Sequence, residues 1–253
     1  MTTICFIERL FITQQEALPS RIANRRGLYH QAGWYNQTIM LFGLDPPTVI
    51  ARIITLIVAF SVHEFAHAWS ADQLGDQTPR LNGRLTLNPL AHLDPIGSLL
   101  LLLSGFGWAK PVPVNPHALR RRTPAGMMLV AAAGPLSNLL LAFIAAIPFQ
   151  LGLLSRFSTN GSLFPSLSFL LTQFIFINLI LLFFNLIPIF PLDGEKVAEY
   201  FLPPSGQDTL LRLRPYGPMI LMSLLFLLPM AGINIFTWLV GWPANQIFRM
   251  LVI

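Results

Sequence analysis

The chain has 253 residues, 54% of them hydrophobic and only 11% charged, with a mean hydropathy of +0.61. Soluble domains carry about 25% charged residues, so this composition excludes an ordinary soluble enzyme and points to a polytopic membrane protein. The net charge of +5 does not indicate a nucleic-acid partner, because the arginines flank apolar runs and form no basic stripe. The single cysteine, Cys5, excludes an internal disulfide and any CxxC metal or redox site.

Residues 1–46 are polar and mixed, and are read as an N-terminal tail. The apolar stretch near Ile4–Ile12 is broken by Glu8 and Arg9 and has no basic cluster before it, which does not fit a signal peptide. A helix crosses a hydrocarbon layer of about 30 Å with about 20 apolar residues. The first such span is 47–70, and Pro46 and Pro47 suit its start, where missing N–H donors cost little. A polar loop, 71–95, follows.

Residues 96–106 are apolar, but this run is too short to cross as a helix, and Pro111, Pro113 and Pro116 cannot extend it. The segment 96–116 is therefore expected to be re-entrant or interfacial. Further spans are expected at 125–154, 166–187 and 216–242, with 243–253 left as a short C-terminal tail. The expected fold is thus all-α, with about four transmembrane helices plus the re-entrant segment, in one membrane domain over 47–242. Loops 71–123 and 193–215 share one side and hold nine Lys and Arg against six on the other. That bias places them in the cytoplasm.

Inside the first span lies His63-Glu64-Phe65-Ala66-His67, an H-E-x-x-H segment. Positions i and i+4 of a helix share a face, so both imidazoles can reach one Zn²⁺, and Glu64 stands where a carboxylate can take a proton from water activated there. With five His and five Glu in the chain, chance would produce this pattern on the order of 0.002 times. A charged residue at the centre of a membrane helix costs about 2.5–3.5 kcal/mol, which argues for a function. Catalytic zinc usually has three protein ligands and an open position. Asp193 is the best third candidate, because it closes the third span, follows Pro188 and Pro191, and precedes Gly194. Topology agrees: if 96–106 does not cross, the third span returns Asp193 to the side of His67.

The segment His63–His67, together with Asn185–Gly194, resembles the site-2 protease family of zinc intramembrane proteases. Gly83-Arg84-Leu85-Thr86-Leu87-Asn88-Pro89, His92-Leu93-Asp94-Pro95, Gly107–Asn115 and Gly134-Pro135-Leu136-Ser137-Asn138 resemble its compact prokaryotic branch, without PDZ or CBS modules. The resemblance covers about residues 47–200. It implies one zinc per chain held by His63, His67 and Asp193, with Glu64 as base, and peptide-bond cleavage within or beside the bilayer of a prokaryotic cell. The implied partners are a membrane-protein substrate helix and the lipid bilayer, with the active site towards the cytoplasmic side. Two positions depart from the family's motif: Phe190 stands where proline is common, and Glu195 where a small residue is common.

Several weaker expectations remain. Asn138 suits either a hydrogen bond to the substrate or oxyanion or one between helices. His92 and Asp94 are read as solvated loop residues or as a pair supporting the ligands, and Asn178 and Asn185 as structural. A membrane metal transporter or metal-binding protein is the rival to the protease, since intramembrane His and Asp also line ion paths. It would have no specific need for Glu64 between the histidines.

Overall fold

The computed structural model describes residues 45–92, 94, 97, 110–155 and 163–252. Helices α1 (Pro46–Gln73), α5 (Gly126–Gln150) and α6 (Leu167–Asn185) form the centre of a bundle, and no strand occurs among the described residues. Among the described residues, four helices are long and apolar enough to cross a membrane: these three and a composite, α8, over Pro204–Met230. This is the expected all-α architecture.

Helix α1 starts where Asp45 is extended and Pro46 and Pro47 fill the first positions. It stops at Gly75, whose φ of 89° lies in the left-handed region that only glycine adopts freely. Ala51, Thr55, Ala59, His63, His67 and Ala71 recur every fourth residue, and all are buried. Small side chains on this stripe let α5 approach closely, the usual way for helices to pack where lipid offers no hydrophobic drive.

The connection after α1 carries the short helices α2 (Thr78–Leu81), α3 (Pro89–His92) and α4 (Pro116–Arg122). Two buried charged residues pin it. Asp76, 1% exposed, accepts from the backbone N–H of Thr78 at 3.0 Å and of Asn115 at 2.6 Å. Arg84 donates to the carbonyl of Ala91 and, at 3.4 Å, to that of Lys110. The Lys110 N–H donates to the His92 carbonyl at 2.7 Å. Most of the segment expected to be re-entrant, 98–109, lies outside the described residues, but its two flanks are thus joined.

The second core holds the other end of the bundle. Ala142, Ala146 and Phe149 of α5 meet Ile175, Phe176 and Leu179 of α6, and Ala244, Phe248 and Val252 of a last helix, α9 (Trp242–Val252). The chain expected as a tail at 243–253 is therefore a packed helix. Its buried positions recur every four residues, a pattern too short for a span-length window to register.

The fourth span also differs from the expectation of 216–242. The helix begins at Pro204, runs through the polar turn at Arg214, and ends at Gly232, where φ is 81°. Apolar composition continues past Gly232, but the backbone does not continue as one helix; a π-helical turn, Thr237–Gly241, leads into α9. Asp193–Phe201 forms the short helix α7 between α6 and α8.

Candidate metal centre

His63 and His67 lie one turn apart on the buried stripe of α1, and Asp193 is the first residue of α7. Their ligand atoms all fall within 4.8 Å of one another. His63 Nε2 is 3.1 Å from Asp193 Oδ2, His67 Nε2 is 3.4 Å from Asp193 Oδ1, and the two Nε2 atoms are 3.0 Å apart. Separations of this size match the edges, about 3.3 Å, of a tetrahedron with bonds of about 2.0–2.1 Å to its centre.

The other ring nitrogens are already engaged. His67 Nδ1 faces the Val130 carbonyl at 2.7 Å, and His63 Nδ1 faces Asn138 Oδ1 at 3.3 Å. A carbonyl only accepts, so Nδ1 carries the hydrogen and Nε2 turns its lone pair inward. Two such lone pairs facing a carboxylate repel unless a cation or protons lie among them. The donor set therefore suits a divalent metal of the zinc kind, with imidazoles oriented from behind by hydrogen bonds. Burial alone would raise the Asp193 carboxyl; protons held on the adjacent imidazoles, His67 foremost, outweigh it and keep that carboxyl below the usual carboxylate range. Asp193 is thus an anionic donor at neutral pH.

Glu64 projects from the same turn of α1 and is 9% exposed. Its carboxylate has no hydrogen bond or ion pair among the described residues.

Local sequence accounts for how the backbones come this close. A Cβ at Gly134 would lie 2.6 Å from His63 Nε2 and closer still to His67 Nε2, so only glycine leaves the donor atoms room. Pro135, next in α5, supplies no N–H, and Ser137 Oγ donates to the Gly134 carbonyl at 2.7 Å. A Cβ at Gly194 would collide with the carbonyls of Leu186 and Ile187, so glycine also permits α7 to start against the end of α6.

The three residues of the expected ligand set meet, and Asn138 faces His63 from behind. Sequence reading missed the Val130 carbonyl, which has no side-chain signal, and the steric role of Gly134, which the Gly-Pro pair of its motif could have suggested. His92 is not the solvated loop residue expected, and Asp94 is half-buried. His92 is fully buried, with Nε2 facing the Thr86 carbonyl at 2.7 Å, and Asp94 accepts from the Gly97 N–H at 2.8 Å. Asn178 and Asn185 bond to carbonyls four residues back in α6, as expected of structural residues.

Comparison with known proteins agrees with this geometry. The chain is 42% identical over 186 residues to a Bacillus subtilis protein named "Putative zinc metalloprotease YwhC", an alignment covering 71% of this chain and 81% of that one. The chain belongs to the site-2 protease family. Proteins of that family named "Putative zinc metalloprotease Rip2" are also similar. The one from Mycobacterium tuberculosis is 32% identical over 194 residues, 72% of this chain and 71% of its own. The one from Mycolicibacterium smegmatis is 32% identical over 177 residues, 67% and 64% of the two chains. No protein-family model and no solved structure matches the chain.

Proposed function

We propose that this protein is a zinc-dependent intramembrane endopeptidase, with one zinc per chain held by His63, His67 and Asp193. One observation carries the reading: His63 and His67, inside a helix of membrane-spanning length, meet Asp193 in a three-donor cluster, with the buried Glu64 beside them in the same helix. The names of its relatives supply the metal and the reaction class. When bound, zinc supplies a Lewis acid that polarises a carbonyl and makes water acidic near neutral pH.

Glu64 takes the proton from the attacking water on its carboxylate and delivers it to the leaving amine. Asn138 orients His63 through Oδ1, while its buried Nδ2, which has no partner among the described residues, is the donor assigned to the substrate's carbonyl oxygen. A substrate transmembrane helix must unwind locally before cleavage, because its backbone groups are already bonded to one another. The active site is expected to open towards the cytoplasmic side, with the Asp193 side chain 20% exposed.

The test is cleavage of a reporter transmembrane helix by the purified protein in detergent, with bound zinc measured in parallel. Glu64→Gln is expected to retain zinc and lose about 10²–10⁴-fold in rate. Full cleavage by that variant would sink the assigned base. Bound zinc with no cleavage of any reporter, together with metal flux in vesicles, would favour the transporter instead.

A further inference from the structure

Of the three proposed ligands, Asp193 is the one not carried on a membrane-length helix. It sits on a turn, and that turn must be held from outside. Two residues flanking it, Phe190 and Glu195, meet a single guanidinium, that of Arg214.

Glu195, two residues after Asp193, is 3% exposed. Its Oε1 accepts from Arg214 Nε at 2.9 Å and also from Arg214 Nη2, a two-pronged grip that a lysine could not make. The same guanidinium lies over the ring of Phe190, three residues before Asp193, with its carbon 5.8 Å from the centroid. Arg214 thus reaches both sides of the ligand turn. Its backbone belongs to the tighter turn inside α8, Arg214–Tyr216, and Gly217, just after it, lies so close that a Cβ there would strike the Phe190 carbonyl. Lys196 and Glu199 complete the network: Lys196 Nζ is 2.7 Å from Glu199 Oε2, and Arg214 Nη2 is 3.6 Å from the same oxygen.

We propose that Arg214 and Glu195 are positioning residues for the metal centre. They fix the turn that presents Asp193, with Phe190 as the second face of the clamp, and so couple the fourth span to the third ligand. The proposal rests on the reading of Asp193 as a zinc ligand. An ion pair serving stability alone could lie anywhere on α7; this one, with its stacked ring, brackets a single residue.

The experiment uses the full-length protein in detergent. Zinc affinity is measured by competition with a chromogenic chelator, and the visible spectrum of the cobalt-substituted form reports ligand geometry. Arg214→Gln and Glu195→Gln are each expected to weaken zinc binding about 10–100-fold, the loss typical when a group supporting a ligand is removed. Both should shift the cobalt spectrum in the same direction. Arg214→Lys, which keeps the charge but not the fork, should fall between them and the wild type. If Arg214→Gln does not fold, Arg214→Lys and Phe190→Leu decide the matter through the same two readouts. Folded variants with wild-type affinity and spectrum, beside an Asp193→Ala that loses both, would overturn the clamp while leaving the ligand set intact. An Asp193→Ala with undiminished zinc affinity would instead remove the ligand assignment itself, and the clamp with it.

Discussion

Helix α5 serves two regions of opposite character. Its first half, from Val130 to Asn138, faces the histidines of α1 with a backbone carbonyl, a glycine and an amide. Its second half, from Ala142 to Phe149, faces α6 and α9 with small and aromatic apolar groups, and Phe176 meets Phe248 edge to face. The first half is built around polar groups that must be matched one by one, the second around volume that must be filled. A buried polar site tolerates little change in geometry but adds little stability, whereas an apolar core does the reverse. The site can therefore be fragile in function while the fold that carries it is not.

That contrast can be broken or sharpened by substitution. The largest effect on stability is expected at the apolar end: Phe248→Ala should destabilise the protein by about 3–5 kcal/mol in unfolding assays. Its zinc affinity, measured on the folded fraction, should not change. A parallel loss of zinc would show that the two regions are not independent. Gly134→Ala is the complementary change, with a stability cost of about 1–3 kcal/mol from overpacking. Its main effect should be failure to hold zinc, because the new methyl group occupies the space of the two Nε2 atoms. Zinc at wild-type stoichiometry in this variant would refute the geometry of the centre. The smallest effect belongs to neither region. Arg80, whose side chain is 60% exposed in its ion pair with Asp72, should lose almost no stability as Arg80→Gln, because solvent screens such a pair, with both zinc and cleavage unaltered.

The differing legibility of these regions follows from the range of the interactions. The first three spans were readable to within a few residues, since about 20 apolar side chains in a row constrain a helix without reference to anything else. The fourth span was displaced towards the C-terminus, because hydropathy does not register that polar residues from Pro204 join the helix or that Gly232 ends it. Helix α9 escaped notice for a similar reason: its burial depends on the groove between α5 and α6, which the sequence does not display. His92 was misjudged because solvent exposure is a property of how a loop folds back, and this one is pinned by Asp76 and Arg84.

What the sequence by itself determined is local: a helix with two histidines one turn apart, a glutamate beside the first, and apolar flanks that make such residues too costly without a purpose. Periodicity and composition suffice for that, since every relation lies within one turn of helix. The third donor comes from a residue 130 positions away. Only the packing of α1, α5 and α6 decided that it arrives, that Val130 and Asn138 stand behind the imidazoles, and that Gly134 leaves the space between them. Those contacts depend on side-chain volumes and backbone approach summed over three helices, and no short stretch of sequence encodes that sum.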